Sequence, residues 1–385
     1  MVSPSDLTGL VEEITPQAIE LRRLLHRHPE PANEERETTA LLASTLEGAG
    51  VVVKTRSPKT GLWVDIGTDP KVGFRADIDA LPIQEPADNT PTSASPGWMH
   101  ACGHDAHAAI AVGIALVLHR LEPSIGVRIL FQPAEEAAVG GASELVAEGL
   151  VDDLKGLIAF HVDPTLQVGR IGAKAGAITG SADAFIIKVS GPGGHTSRPH
   201  RTVDVVDAAA RIVRDLPQSV SRSLDSRVPV VTVFGSIHGG DAANVIPTEV
   251  VLKGTVRTLD RSLWDALPGL IDKTLAQIVS MSGAEYALDY RRGVPPVVND
   301  DAIVRTVTSS LADDLGAEIV VPTETSMGGE DFSNYLEIVP GAMFRLGTHS
   351  GGGDLHSASF KVNEASIGFG IRAGVSALLG IAARS

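Results

Sequence analysis

The chain has 385 residues, of which 43% are hydrophobic and 21% charged, an average composition for a globular protein that excludes a fibrous or largely disordered chain. The 47 acidic residues outnumber the 32 basic ones, giving a net charge of −15 without any Lys/Arg run, so nucleic acid is not an expected partner. Cys102 is the only cysteine, and no internal disulfide can form. The beginning of the chain lacks a signal-peptide pattern, and apolar stretches such as 108–118 are shorter than a membrane span. We therefore expect a cytoplasmic protein that does not associate with membranes.

The first part of the chain shows helices that alternate with short strands. Apolar positions recur at helical spacing from Ile19 to Leu25, and the helix is expected to end at His28 because Pro29 follows. Further along, the pattern predicts helices over 33–47, 104–121 and 141–148, and strands over 51–53, 62–66, 72–75, 127–131 and 157–161. This alternation predicts an α/β domain built around a sheet.

The pattern changes near residue 175. It predicts strands over 184–189, 228–237, 249–259 and 285–290, and helices over 202–216 and 263–279. The order β-α-β-β-α-β is the ferredoxin-like signature. Helices and strands alternate again from Asp301, and an apolar helix is expected over 364–379. We expect one α/β catalytic domain, residues 1–178 and 292–385, interrupted by a smaller ferredoxin-like α+β domain over 179–291.

The densest polar cluster lies over 100–107, directly before the apolar helical run 108–118. Within it, Cys102 and His104 could bind one divalent metal ion, because thiolate and imidazole are strong ligands. The alternative is a small buried cysteine beside a histidine that caps the helix.

A second cluster, Glu135 and Glu136, follows the predicted strand 127–131, at the end of the sheet where α/β proteins place their ligands. Adjacent carboxylates can divide the work, one binding a metal ion and the other acting as a general base. The alternative is a solvated helix start. His161 ends the next apolar strand in the corresponding place. An ionisable side chain at the end of a buried strand needs a partner.

His356 follows the glycines 351–353, so a flexible loop could deliver its imidazole to a cleft; an exposed surface histidine is the alternative. Together, five side chains could hold two metal ions about 3.5–4 Å apart with one ligand bridging. They are Cys102, His104, Glu136, His161 and His356, and Glu135 is left as a base.

Seven segments occur in the order seen in the M20 metallopeptidase and amidohydrolase family. They are FRADIDALP (74–82), MHACGHDAH (99–107), QPAEE (132–136), GGHTSRPH (193–200), NVIP (244–247), GTVR (254–257) and GGEDF (328–332). The chain resembles that family over nearly its whole length, and in particular its branch of N-acyl-amino-acid amidohydrolases, hippurate hydrolases and plant auxin-conjugate hydrolases. The resemblance implies a mixed-sheet di-metal hydrolase domain interrupted by a dimerisation or lid domain.

The resemblance also implies a ligand set for two divalent ions per subunit, which Zn, Mn, Co or Ni could fill. Cys102 takes the position of the bridging ligand, which is an Asp in the wider family. Glu136 and His356 would complete one metal site, His104 and His161 the other, and Glu135 would be the general base. Where the wider family has a His-x-Asp element, this sequence has Asp77 and Asp79, which we expect to support the ligands.

Three residues of the inserted domain are implied to act on the substrate. His195 matches an imidazole that reaches the active site of the partner subunit and stabilises the oxyanion, so the enzyme would work as a homodimer; the alternative is a histidine in a turn. Asn244 and Arg257 would contact substrate, with Arg257 holding a free α-carboxylate through paired donors. The alternative for Arg257 is a surface arginine that solvates the sheet. The segment 328–332 is expected to form a cleft wall without a catalytic step.

The activity expected from this site is hydrolysis of the amide bond of a small N-acyl-amino acid, of the aminoacylase or hippurate-hydrolase type. A dipeptidase or carboxypeptidase of the same family is the near alternative. A non-catalytic metal- or ligand-binding protein would have no use for Glu135. A thiol enzyme with Cys102 as nucleophile would explain neither the Glu pair nor His356.

Overall fold

The structure is a computed structural model that describes residues 4–122, 126–137 and 140–384. The chain forms two compact units. Unit 1 comprises Met1–Gly176, Val298–Glu324 and Asp331–Ser385, and unit 2 comprises Ala177–Val297 and Thr325–Glu330. The domain limits given above stay a prediction.

The elements follow one another in the alternation that the sequence predicts. The described helices are α1 Pro4–Arg27, α2 Arg36–Gly48, α3 His104–Leu121, α4 Gly141–Ala147, α5 Val205–Arg222, α6 Arg261–Ser280, α7 Asp301–Leu315, α8 Ser333–Leu336 and α9 Ala365–Ala382. The described strands are β1 Val53–Thr55, β2 Leu62–Ile66, β3 Pro70–Asp77, β4 Gly126–Gln132, β5 Gly156–Asp163, β6 Ile171–Ala173, β7 Gly176–Ala177, β8 Ala182–Ser190, β9 Gly194–His195, β10 Val230–His238, β11 Val245–Ile246, β12 Glu249–Thr258, β13 Glu285–Val294, β14 Val298–Asn299, β15 Val320–Pro322 and β16 Gly341–Gly347.

Unit 1 is built on a sheet with the strand order β1-β2-β4-β3-β5-β16-β6-β15. The central strands β4, β3, β5 and β16 are parallel to their neighbours in that group. The pairs β1–β2, β2–β4 and β16–β6 are antiparallel. The expected mixed sheet of an α/β domain is therefore confirmed.

The parallel strands bring their carboxyl ends to one edge of this sheet. Asp77, the last residue of β3, pairs with Gln132, the last residue of β4, and His161 lies near the end of the neighbouring β5. Ligands in open α/β sheets bind at this edge. The loops that carry Asp79 and Glu135 leave from the same strand ends.

The helix α3 runs through the core of unit 1, and its residues from His104 to Leu118 are buried, as expected for a continuous apolar run. It packs closely on α9 because each helix places a glycine against an isoleucine of the other. A Cβ at Gly113 would lie 2.3 Å from Ile371 Cδ1, and one at Gly374 would lie 2.3 Å from Ile114 Cδ1. By length and composition, α9 is the one described helix that could cross a membrane, but 72% of it is buried, and we interpret it as a core helix.

Unit 2 contains a four-stranded antiparallel sheet with the order β10-β12-β8-β13. The helices α5 and α6 supply the other half of its hydrophobic core. This is the ferredoxin-like arrangement that the sequence predicts. On β12 the side chains alternate as expected, since Leu252 and Val256 are buried whereas Lys253 and Thr255 are exposed.

Candidate metal centre and active site

The five predicted metal ligands come together around Cys102 in unit 1. Cys102 Sγ lies 3.5 Å from His161 Nε2 and 3.3 Å from His356 Nε2. His356 Nε2 is also 3.2 Å from Glu136 Oε1. The ligand atoms of Cys102, His104 and His161 all lie within 4.8 Å of one another, and so do those of Cys102, Glu136 and His356. Cys102 is thus common to two three-residue groups.

Local backbone geometry explains how Cys102 and His104 reach the same space. Gly103, between them, has a φ of 82°, and a Cβ there would lie 2.5 Å from Val162 Cγ2. Only glycine combines this left-handed conformation with the close approach to β5. The turn directs Cys102 and the first residue of α3, His104, toward the strand ends.

Two of the imidazoles are held in the tautomer that a metal ion requires. His104 Nδ1 donates to the backbone carbonyl of Asp79 at 2.9 Å, and His161 Nδ1 donates to the carbonyl of Val162 at 2.8 Å. In its neutral form each ring therefore carries its lone pair on Nε2, which faces the cluster. His104 Nε2 is buried and makes no hydrogen bond to any part of the chain that the structure describes. A buried nitrogen of this kind needs a partner, and a divalent ion fits that requirement.

The electrostatics of the cluster are those of a site built for cations. Burial raises the pKa of the Cys102 thiol to about 12, so a thiolate here needs a nearby positive charge. Burial and the charge of Arg345 hold the pKa of His161 well below its usual range, which keeps that imidazole neutral. Burial lowers the pKa of His104, but the charges of Asp77 and Cys102 and the hydrogen bond to Asp79 together raise it above its usual range.

The two glutamates sit on a turn whose backbone is fixed by Asp79. The N–H groups of Glu135 and Glu136 donate to the two carboxylate oxygens of Asp79 at 3.1 and 2.9 Å. The Glu135 carboxylate lies 3.9 Å from His104 Nε2. The residue before it, Ala134, has a left-handed φ of 56°, a conformation uncommon for residues other than glycine. The arrangement leaves Glu135 beside the two groups of ligand atoms.

His107, to which the sequence pattern assigned no role, links Asp77 to β5. His107 Nδ1 lies 2.6 Å from Asp77 Oδ1, and its Nε2 accepts the backbone N–H of Val162 at 2.9 Å. It fixes the backbone of the residue that follows His161. The available signal was its position three residues after His104, which places both on one face of α3.

A second group that sequence reasoning missed is the buried network around Arg75. Its guanidinium donates to Asp77 at 2.7 Å, to Gln132 at 2.7 Å and to Asp331 at 2.8 Å. Gln132 also donates to Asp331 at 2.8 Å. Asp331 was expected only as part of a cleft wall, but its carboxylate is buried in this network. Arg75 binds Oδ2 of Asp77, whereas His107 binds Oδ1.

Unit 2 brings His195 and Asn244 next to each other. His195 lies on β9, which pairs with β11, and the N–H of the following Thr196 donates to the carbonyl of Asn244 at 3.2 Å. The exposed ring of His195 accepts the backbone N–H of Ser197 at Nδ1 over 3.1 Å. The neutral ring therefore carries its proton on Nε2. Arg257 lies on β12 and donates one Nη to the carbonyl of Met327 at 2.8 Å, and the roles of these residues stay predictions.

Comparisons with known proteins identify the family of this chain. The family model for peptidase family M20/M25/M40 matches residues 73–379. An N-acyl-L-amino acid amidohydrolase of Geobacillus stearothermophilus is 37% identical over 305 residues, 78% of this chain and 82% of that relative. An N-acetyl-L-cysteine deacetylase of Bacillus subtilis is 35% identical over 376 residues, 94% of this chain and 89% of the relative.

One relative is considerably longer than this chain. It is a Rhodococcus jostii protein named as a glutamate–cysteine ligase, 39% identical over 359 residues, and the match covers 92% of this chain but 45% of that relative. Because the match covers less than half of that protein, its name carries no activity over to this chain.

Solved structures show the same fold. A crystal structure described as an aminohydrolase from methicillin resistant Staphylococcus aureus has a TM-score of 0.91 at 30% identity and covers 98% of this chain and 99% of its own. The Bacillus subtilis YXEP protein, described as a dinuclear metal binding peptidase from the M20 family, has a TM-score of 0.85 at 31% identity, with coverage of 96% and 99%. The chain is a hydrolase that belongs to peptidase family M20/M25/M40.

Proposed function

We propose that this chain hydrolyses the amide bond of small N-acyl-amino acids and releases a carboxylic acid and an amino acid. The observation that carries the proposal is the Glu135 carboxylate beside five convergent ligand side chains. These five form two three-residue groups that have Cys102 in common. The names of the relatives that act on N-acyl-amino acids and N-acetylcysteine support this substrate class.

The proposed metal site holds two divalent ions, Zn, Mn, Co or Ni. Cys102, Glu136 and His356 would hold one ion, and Cys102, His104 and His161 would hold the other. Bound there, the ions would polarise the amide carbonyl and lower the pKa of a water molecule toward neutrality. The described donor set fits because the Nε2 atoms of His104 and His161 both face Cys102 with their Nδ1 atoms engaged elsewhere.

Glu135 is the proposed general base. Glu135 takes the proton of the attacking water and passes it to the amide nitrogen. The C–N bond then breaks, and the amino acid leaves. Asp79 and Asp77 take no proton in this scheme. Asp79 holds the turn of Glu135 through two backbone N–H groups, and Asp77 is engaged by Arg75 and His107.

The proposed oxyanion donor is His195 of the inserted domain of a partner subunit. Because Ser197 donates to its Nδ1, the neutral imidazole presents Nε2–H as a donor. Asn244, next to His195, and Arg257 are proposed to contact the substrate, with Arg257 facing its α-carboxylate. The proposed enzyme is therefore a homodimer.

The decisive variant is Glu135→Gln, which keeps the size of the side chain but cannot accept a proton. We expect full metal content by elemental analysis and a loss of kcat of at least about 100-fold on N-acetyl-amino acids or hippurate. The control is Glu47→Gln, an exposed glutamate at the end of α2, with unchanged kcat. Retained turnover in Glu135→Gln would remove that residue from the mechanism.

A peptidase is the second candidate, because the YXEP protein is described as one. The same purified protein is given dipeptides beside N-acyl-amino acids, and kcat/KM is compared. A higher kcat/KM on dipeptides would replace the proposed substrate class with the alternative one.

The shared site is tested by subunit complementation. His195→Ala and Glu135→Gln proteins are each expected to be inactive, but mixing them should restore part of the activity because each mixed dimer contains one intact composite site. No recovery after verified subunit exchange would contradict the proposed role of His195.

A further inference from the structure

A buried carboxylate lies behind the turn that carries Glu135. Glu35, the residue before α2, is fully buried in unit 1. Its Oε1 accepts the backbone N–H of Ala134 at 2.8 Å and that of Asn33 at 2.9 Å, and its Oε2 accepts the hydroxyl of Thr60 at 2.7 Å. A buried carboxylate requires such donors. The bond to Ala134 joins residues 99 positions apart in the chain.

Ala134 has an unfavourable backbone conformation that its surroundings maintain. Its φ of 56° lies in the left-handed region, which residues with a Cβ adopt only at a cost. Its N–H is bound by Glu35, and its carbonyl accepts the N–H of Gly141 at 3.1 Å. The peptide groups on both sides of Ala134 are therefore fixed, and the N-terminal side depends on Glu35.

Two carboxylates together bind three successive N–H groups of this turn. Glu35 binds that of Ala134, and Asp79 binds those of Glu135 and Glu136. If the acceptor at Glu35 is lost, the buried N–H of Ala134 has no charged partner, and relaxation of φ toward the usual region would rotate the chain that enters Glu135. A displacement of about 1 Å of a catalytic group is enough to reduce a rate by about 100-fold.

We propose that Glu35 is a positioning residue, which holds Ala134 in its left-handed conformation and thereby directs the Glu135 carboxylate; this inference rests on the proposed function. The competing explanation is structural only, namely that Glu35 ties the start of α2 to the turn at Thr60. In that case its loss would lower stability but leave the kcat of the folded protein unchanged.

The experiment compares two replacements of Glu35 that differ in whether the side chain keeps a hydrogen-bond acceptor. Glu35→Met has a similar length but no acceptor, and we expect kcat on an N-acyl-amino acid to fall about 10- to 100-fold while KM changes by less than about threefold. Glu35→Gln keeps an amide oxygen for Ala134 and an N–H for Thr60, and we expect kcat within about threefold of the wild type. Should Glu35→Met fail to fold, Glu35→Asp, whose shorter side chain withdraws the acceptor, carries the same test.

A rescue variant separates positioning from general stability. Glycine adopts the left-handed region without the cost of a Cβ, so Ala134→Gly added to Glu35→Met should restore kcat by about tenfold, whereas Ala134→Gly alone should change it little. A kcat that Glu35→Met leaves unchanged, or a loss that glycine does not reduce, would overturn the inference.

A readout without turnover keeps this inference separate from the proposed function. Hydrogen–deuterium exchange should become faster in Glu35→Met over residues 133–137 but not over β4, Gly126–Gln132, and metal content should stay that of the wild type. Unchanged exchange over 133–137, or an equal increase over β4, would overturn the positioning role. A wild type that holds metal but cleaves no N-acyl-amino acid would instead overturn the proposed function, and the exchange measurement would still decide the role of Glu35.

Discussion

Replacing Arg75 by Met would test how strongly the buried charge network stabilises unit 1. Arg75 is 2% exposed, and its guanidinium lies 2.7 Å from Asp77 and 2.8 Å from Asp331, carboxylates that are 0% and 2% exposed. Removing one partner of a buried ion pair leaves an uncompensated charge and costs about 3–5 kcal/mol. The bond from His107 to Asp77 partly compensates that carboxylate. We therefore expect the free energy of unfolding to fall by about 3–4 kcal/mol, and not by that amount for each carboxylate.

The assay is urea denaturation of both proteins followed by circular dichroism. The matched control is Arg120→Met, because Arg120 pairs with Glu13 at the same distance of 2.7 Å but with side chains 48% and 61% exposed. We expect that control to lose at most about 1 kcal/mol. Equal losses of unfolding free energy in the two variants, or a loss below about 1 kcal/mol in Arg75→Met, would contradict this reasoning. Burial would then not determine how much these ion pairs contribute to stability.

Three further predictions concern pH, packing and metal removal. His26 is held between two buried carboxylates, which raise its pKa although burial opposes the charge. The wild type should therefore exceed His26→Gln in urea stability most strongly below about pH 6.5, and the difference should shrink as pH rises through the raised pKa; a difference independent of pH would contradict this. Gly141→Ala would place a Cβ 2.0 Å from the carbonyl oxygen of Pro133, whereas a Cβ at Gly9 meets nothing within 4 Å. We expect Gly141→Ala to lower the free energy of unfolding by about 1–3 kcal/mol and Gly9→Ala to be neutral or stabilising. Equal thermal midpoints of the two variants would contradict this. Chelation should lower the melting temperature, because His104 Nε2 is left buried without a hydrogen-bond partner among the described residues, and added Zn or Mn should restore it. An unchanged midpoint would argue against bound metal.

The sequence predicted the existence and type of the main elements well, because their hydrophobic periods are long. The ends of these elements depend on single contacts, which hydrophobic periodicity does not indicate. The helix expected over 33–47 begins at Arg36, since Asn33 has a left-handed φ of 67°. The helix expected over 202–216 is α5, Val205–Arg222, because the Asp204 side chain caps its start by accepting two backbone N–H groups.

The convergence of the predicted ligands could be anticipated, because each of them lies at a strand end, at a helix start or on a glycine-rich loop. Their supporting residues could not be anticipated in the same way. Arg75 meets Asp331 across 256 positions of the chain, and Glu35 meets Ala134 across 99. Such pairs depend on how separate elements pack, and no local pattern in either segment indicates its partner.

The charges of the site explain why it needs cations in addition to this support. Asp77 is bound by His107 and by Arg75, which it shares with Asp331, and Asp79 accepts two backbone N–H groups. Glu135, Glu136 and a Cys102 thiolate then contribute three negative charges around ligand atoms within 4.8 Å of one another. In the proposed enzyme two divalent ions would supply four positive charges to this acidic cluster, beside the position where negative charge develops on the amide oxygen. Glu136→Gln should weaken metal binding because it removes a proposed ligand, whereas Glu135→Gln leaves the proposed ligand set intact and should retain the metal.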